Sequence, residues 1–264
     1  MRINWKKTLL ITGDVLIGAY LVLALTAFNK PEGSQRVCTR LNISIQDEAV
    51  NGFIDKDEIT ARLKRNGLYP VDKHLADINT RRIEDALKQS AFVNDAECYK
   101  TEDGQVCIML TQRMPTLHVM AANGDDYYLD DNHSIMPNSH YTSNLIVATG
   151  YINKWYAKNY LSNLTEAIMA NPFWCNQIVQ INVLPNRGIE LVPRVGDHII
   201  YIGQLPTSKF IAERRQLVTD YTNVKLDRLR KFYTYGLSQA GWHKYSYIDV
   251  EFDNQIICKK RTNN

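Results

Sequence analysis

Hydrophobic residues along this chain follow three different patterns, and each marks a different kind of element. From Thr8 to Phe28, "TLLITGDVLIGAYLVLALTAF", they are nearly continuous over about 20 residues, the length of a helix that crosses a bilayer. In "RVCTRLNISI", Arg36 to Ile45, they alternate at Val37, Leu41, Ile43 and Ile45, which predicts a strand. In "IDKDEITARLKRNG" the period is helical: Ile59 and Leu63 stand at i, i+4, Asp55 or Asp57 caps the start and Gly67 stops it. "INTRRIEDALKQSAFV" predicts a second helix, capped by Asn79 or Thr80, with Ile83, Ala86 and Leu87 on one face. "NDAECYKTEDGQVCIMLTQRMP" then reads as a hairpin turning at Asp103-Gly104. Strand, helix, helix, strand and strand, closed by Pro115, make one small α+β layer with both helices on one face of the sheet.

Beyond Pro115 the strands multiply. "LHVMAANGDDYYLDDNHSIMP" is a hairpin with a long acidic tip, and "NLIVATGYI" is another strand. A helix over about Tyr156 to Met169 sets Leu161, Leu164 and Ile168 on one face. "IVQINVLPNRGIELVPRVGDHIIYIG" alternates over three strands, and two helices are expected around "KFIAERRQLVTDY" and "VKLDRLRKFYTYGL". In the closing "YIDVEFDNQIICKK", Ile248, Val250 and Phe252 point one way, and Tyr247, Asp249, Glu251 and Asp253 the other. Asp253-Asn254 is a tight turn, and Gln255 to Lys260 a last short strand with no successor to cover its far edge. The fold class is α+β: a single transmembrane helix, the small mixed layer, and a strand-rich domain with helices on one side that ends in an edge strand.

Composition changes this picture little. The chain has 264 residues, 45% hydrophobic and 22% charged, with a net charge of +3. Those are globular values with room for two modest domains, and too little positive charge to suggest nucleic acid. Charge does orient the first segment. Arg2, Lys6 and Lys7 precede it and the mixed "NKPEGSQR" follows, which keeps the amino terminus in the cytoplasm and exports everything after Phe28. A cleaved signal peptide is the rival reading, with "VLA" ending at Ala24 as its nearest site; an uncleaved anchor is favoured, and either way the bulk is exported. Asp14 interrupts the apolar run, either as an acid tolerated near the interface, which is favoured, or as a polar contact to a partner helix.

The five cysteines are an odd count for an oxidising compartment. Cys98 and Cys107 are expected as diagonal neighbours on the same face of the hairpin, where a bridge is disfavoured. No C-x-x-C or Cys/His spacing suggests zinc, and neither metal nor cofactor is expected. H-E-x-x-H, G-x-S-x-G, P-loop and dinucleotide fingerprints are all absent. His118, His133, His140, His198 and His243 are scattered. "DDYYLDDN" fits no EF-hand and reads as a solvated tip. Lys225, Arg228, Arg230 and Lys231 form a basic run that reads as a solvated helix face. The chain is not expected to be an enzyme.

"LTQRMP", "YYLDDNHSIMP", "VATGY", the long "INVLPNRGIELVPRVGDHIIYIG" hairpins and "YIDVEFDN" occur in that order behind a positive-inside anchor. Together they resemble the bacterial cell-division family FtsQ/DivIB over nearly the whole chain. The resemblance implies a cytoplasmic stub over 1–7, a transmembrane helix over 8–28, a linker over 29–35, a POTRA domain over 36–113 and an FtsQ-type β domain over 114–264. It implies a non-enzymatic divisome scaffold in the cell inner membrane, amino terminus cytoplasmic and bulk periplasmic, at the division septum. Its partners would be the periplasmic segments of FtsB and FtsL, other divisome proteins and the membrane, with no nucleic acid. The implied contact is β-augmentation on the last strands. Carried over by motif, Phe252, Asp253 and Asn254 shape the turn, while Gln255, Ile256, Ile257, Cys258, Lys259 and Lys260 offer the edge. The family commonly has a small residue or glycine where this chain has Gln255. Lys259, Lys260 and Arg261 are also what proteins place on an edge to prevent unwanted pairing, and a basic edge can do both by accepting an acidic strand. The alternatives are a POTRA-type chaperone that passes β-strands to an outer-membrane barrel, and an anchored envelope enzyme. The first lacks the barrel strands and the second a polar cluster.

Overall fold

The computed structural model describes residues 5–28, 36–46, 54–139 and 145–262. The first part of the expected stub, residues 1–4, the expected linker 29–35 and His140 lie outside the described residues. Helix α1 spans Trp5–Phe28, and Val15, Leu16, Ile17 and Leu21 to Leu23 stand exposed along it. Among the described residues no helix is long and apolar enough to cross a membrane. The expected span Thr8–Phe28 extends past the described side chains of α1, which are Leu9 and Thr12 to Ala24.

The rest forms two compact units, each with its own sheet. The first contains β1 (Arg40–Gln46), α2 (Lys56–Arg65), α3 (Thr80–Lys88) and the hairpin β2 (Val93–Lys100) and β3 (Gln105–Gln112), in sheet order β1-β3-β2. Its helices bury the residues that the i, i+4 pattern selected: Ile59 and Leu63 on α2, and Ile83, Ala86 and Leu87 on α3. Asn79 caps α3 by accepting the N–H of Arg82 on its Oδ1 at 3.1 Å. Gly67, at φ +67°, ends α2 in the left-handed region that other residues avoid.

Two expectations change here. The first strand begins at Arg40, because Arg36 to Thr39 pair elsewhere: Cys38 N–H donates to Lys73 O (2.8 Å) and Asp72 N–H to Cys38 O (2.9 Å). Cys98 and Cys107 lie on opposite faces. Thr101 N–H bonds to Gln105 O at 2.9 Å, which sets Tyr99 opposite Cys107 and Cys98 opposite Ile108. Cys98 is buried, its thiol pushed up to about 12 by burial and then by Glu84, and all five cysteines are free.

The second unit is a nine-stranded sheet in the order β12-β11-β10-β9-β8-β7-β4-β5-β6. Its strands are β4 (Pro115–Ala121), β5 (Asp126–Asp130), β6 (Ile135–Pro137), β7 (Ile146–Gly150), β8 (Ile178–Val183), β9 (Gly188–Pro193), β10 (Ile199–Gln204), β11 (Tyr245–Asp249) and β12 (Ile257–Lys260). Pro115 thus opens a strand as well as closing the preceding motif, a position where its missing N–H is tolerated. Helix α4 runs Lys154–Tyr156, through a π turn Ala157–Leu161, into Ser162–Met169.

Helix α5 is Ile211–Phe232, continued by a π turn at Tyr233–Leu237 and by Ser238–Ala240. The expected pair of helices is therefore one. No glycine or proline interrupts it before the π turn, and Thr222 at the expected break is fully buried with its hydroxyl on Val218 O at 2.7 Å.

Alternation puts one face of this sheet in the core. Leu117, Val119, Ile181, Leu191, Ile200 and Ile248 join Leu161, Leu164 and Ile168 of α4 and Val218, Leu226 and Leu229 of α5 in one buried cluster. The other face carries polar side-chain bonds from β7 to β8, from β8 to β9, and from β11 across β10 to β9. Gln180 Nε2 donates to Thr149 Oγ1 (2.8 Å), Asn182 Nδ2 to Glu190 Oε2 (2.8 Å), and Tyr247 OH to Glu190 Oε1 (3.2 Å).

His198 is an exception inside the core. It is buried, with Nε2 2.6 Å from Tyr233 OH and Nδ1 without a hydrogen-bond partner among the described residues. Burial chiefly, with Arg261 assisting and Asp197 opposing, holds its pKa below 6.5. A histidine depressed on folding binds its proton more readily when unfolded, so its contribution is present above pH 6.5 and is lost as pH falls through the folded value. Thermal melts are expected to fall between pH 7 and 5, and less steeply in His198→Phe; parallel profiles for the two proteins would refute this.

Candidate functional site

The nine residues expected to bind a partner lie together at one margin of the large sheet. β12 pairs antiparallel with β11, Asp249 with Ile257, Ile248 with Cys258 and Tyr247 with Lys259. β11 in turn pairs parallel with β10. β12 is the outermost strand, so one of its edges meets β11 and the other meets no described strand. Ile257, Lys259 and Lys260 are exposed, whereas Ile256 and Cys258 pack against the core. Burial raises the pKa of the Cys258 thiol.

Phe252, Asp253, Asn254 and Gln255 form the exposed connection before β12. Asn254 takes φ +61°, a left-handed position that asparagine tolerates better than most residues. Phe252 is not the third inward residue of a strand. β11 ends at Asp249, Val250 is still buried with its N–H on Tyr201 O at 2.9 Å, and Phe252 is 47% exposed.

What holds this connection is a pair of cations from α5. The Lys225 ammonium, its side chain 4% exposed, donates to Glu251 O at 2.5 Å and stands 3.6 Å from Asp253 Oδ1. Arg228 donates to Val250 O at 3.2 Å, to Phe252 O and to Asp253 Oδ1 at 3.0 Å. Three successive carbonyls and one carboxylate are therefore tied to one helix. Arg228, then Lys225, holds the Asp253 carboxyl below its usual range, while burial first and Arg228 second lower the Lys225 ammonium. The solvated-face reading of this basic run holds for Lys231, which pairs in the open with Asp227 at 2.7 Å, and fails for Lys225 and Arg228. A signal existed in the sequence: Val218, Thr222, Lys225 and Leu229 lie on one helical stripe, three of the four being residues a core accepts readily. The lysine was the anomaly.

Further contacts fix the far end of β12. Arg261 N–H bonds to Lys244 O (2.9 Å), and its guanidinium reaches Asp197 O at 2.6 Å. The margin is thus pinned before and after the strand, and among the described residues the strand between is bonded on one side only. Such an arrangement presents main-chain donors and acceptors in a fixed line, which is what an added strand needs. Among the described residues no group of histidine, cysteine and acidic side chains could hold a metal ion.

Residues 36–111 match the family model of the POTRA-like domain, and residues 114–259 match that of the FtsQ/DivIB, C-terminal related domain. No curated protein matches this chain. The second match alone spans more than half of the sequence and carries the clamped margin, and on that ground the chain belongs to the FtsQ/DivIB family of bacterial cell-division proteins.

Proposed function

We propose that this chain is a non-enzymatic scaffold of the divisome that recruits FtsB and FtsL homologues by β-augmentation on β12. Proteins of the FtsQ/DivIB family are division-site proteins with a scaffold role, generally without enzymatic activity, and they work with other divisome proteins. The observation that carries the finer reading is β12 itself, an outermost strand clamped at both ends. Lys259 and Lys260, exposed on that strand, suit an acidic incoming segment. Phe252 to Lys260 would be the contact.

The anchor would be the span 8–28, with residues 1–7 in the cytoplasm, 29–35 as linker, the POTRA domain over 36–113 and the β domain over 114–264 in the periplasm at the septum. Through FtsB and FtsL the scaffold would link early division proteins to septal peptidoglycan synthesis.

The test is binding of the full chain, in detergent, to the periplasmic segments of its own FtsB and FtsL homologues, beside a chain ending at Asn254. A few main-chain hydrogen bonds at about 0.5–1.5 kcal/mol each predict a loss of roughly a hundredfold in the truncated chain. Equal binding by both, with both folded by circular dichroism, would place the contact elsewhere.

A further inference from the structure

β4 and β7 are parallel neighbours, paired from Leu117 with Ile146 to Ala121 with Gly150. The chain leaves their carboxyl ends in opposite directions. After β4 it turns back into β5 on one side, and after β7 it passes through α4 to β8 on the other. Parallel strands left in this way open a crevice beyond their carboxyl ends, the place where sheets of this kind bind ligands. An open groove of about 390 Å³ lies there. It is lined by Ala122 and Asn123 after β4, by Gly150 to Asn153 after β7, and by Arg187 from the turn between β8 and β9.

Arg187 is the one charged residue in that lining. Asn123 and Asn153 are engaged in their own turns, accepting the N–H of Asp125 and of Tyr156. Asp125 takes the Asn123 amide at 3.1 Å and does not line the groove, and residues 140–144, outside the described chain, include no acid. The Arg187 guanidinium is held ready. Its Nη1–H donates to Tyr151 O at 2.9 Å, and its central carbon lies 4.7 Å from the centre of the Tyr156 ring. Nε and Nη2 meet no acceptor among the described residues. The Arg187 backbone sits at φ +67°, a position that glycine or asparagine normally fills, so the arginine stands there at a conformational cost.

We propose that this groove receives the carboxyl terminus of a partner polypeptide that ends in an apolar residue. One cation beside an apolar wall calls for a carboxylate and an apolar group close together, and a terminal residue carries both on one carbon. The terminal carboxylate accepts from Nε and Nη2 of Arg187 as a parallel pair. The last side chain lies against Ala122 and Ile152, and the residue before it covers the exposed Tyr151 ring. A free amino acid fits poorly, because its ammonium would lie beside the guanidinium. The site is separate from the proposed strand contact, since β8 to β11 stand between β7 and β12.

The probe is a short peptide ending in valine–leucine, dye-labelled at its amino end and titrated into the full chain in detergent by fluorescence anisotropy. The same peptide as its carboxyl-terminal amide and N-acetyl-leucine as competitor run beside it. The free acid is expected to saturate, the amide to bind about tenfold more weakly, and N-acetyl-leucine to bind more weakly than the peptide. R187G suits the left-handed backbone and should stay folded by circular dichroism while losing about tenfold in affinity for the acid. A122E, a change at an exposed residue, sets a carboxylate of the chain's own in the groove and should weaken the acid in the same way. If R187G melts early, A122E carries the comparison. Equal binding of acid and amide, undiminished binding in the folded variants, N-acetyl-leucine matching the peptide, or no saturation at millimolar peptide would each overturn the proposal.

Discussion

Trp174→Ala is expected to lower the unfolding free energy of the second unit by about 3–5 kcal/mol, the range for deleting a large aromatic from a close-packed core. Trp174 is fully buried in the short turn Trp174–Asn176 that follows α4. Its indole Nε1–H donates to Leu226 O on α5 at 3.2 Å. Its ring meets Phe173 edge-on at 4.8 Å and Tyr233 at 5.3 Å. Alanine would remove the apolar body, empty the space between the two helices and delete one buried donor at once. Trp174→Phe keeps most of the volume and loses chiefly the hydrogen bond, so about 1 kcal/mol is expected there. Denaturant titration followed by circular dichroism measures both. A loss below 1 kcal/mol in the alanine variant would mean that the site collapses around the deletion and that the helices are not held apart by this ring.

The second large effect is alkaline. Burial, with Asp125 adding to it, raises Tyr127 from 10.0 to about 12. Burial, against the opposing Arg187, does the same for Tyr156. Burial and then Glu251 raise Tyr221 to about 12, and Tyr233 and Tyr247 move in the same direction. A phenol raised on folding holds its proton longer in the native state. The unfolded chain therefore binds fewer protons above pH 10, and stability falls with rising pH from there through the folded values. A displacement from 10.0 to about 12 is worth roughly 2–3 kcal/mol for each tyrosine, and three of them approach the whole stability of an ordinary domain. The second unit should unfold between pH 10 and 12. The hydroxyls of Tyr127 and Tyr156 have no hydrogen-bond partner among the described residues. Tyr127→Phe and Tyr156→Phe should accordingly be neutral or slightly stabilising at pH 7 and should make the alkaline loss shallower. A phenolate step near pH 10 that is present in the folded parent chain and missing from folded Tyr127→Phe or Tyr156→Phe would sink the argument.

Most of the fold was legible because local rules and tertiary demands agree. Ile59, Leu63, Ile83 and Leu87 are buried where the helical repeat placed them, Asn79 caps its helix, and Gly67 ends another. Strands β8 and β9 read correctly for the same reason: Ile181, Val183, Ile189 and Leu191 alternate with half-exposed residues on a sheet covered on one face, whereas the acidic stretch expected as a solvated tip is strand β5, with Tyr127, Tyr128, Leu129 and Asp130 buried. The misreadings all turn on geometry that periodicity does not carry. The faces of Cys98 and Cys107 depend on which residues close the hairpin, and shifting that register by one residue reverses a face. The continuity of α5 past Thr222 depends on packing, since the sequence there has no strong breaker or strong former. Phe252 looked inward only if the strand continued to it, and β11 stops at Asp249 because Asp249 turns its carboxylate back onto the N–H of Glu251 at 2.8 Å. The edge residues were found by their position and motif. The clamp behind them was not, because the stripe that turns Lys225 inward does not say which main-chain groups it meets.

That clamp has a mechanical consequence. A pull along the axis of β12 loads its hydrogen bonds to β11 side by side, and all must fail together before the strand slides. A pull across the axis loads them one after another, like a zip. Lys225 and Arg228 grip the chain just before the strand and Arg261 just after it, so an oblique tug meets anchored ends before it can start the peel. Each end carries one ion pair open to solvent, Arg228 with Asp253 and Arg261 with Asp197, and high salt would soften both while the bonds to main-chain carbonyls remain. The margin is therefore built to resist sliding force at physiological salt, and its weakest direction is outward, away from the sheet.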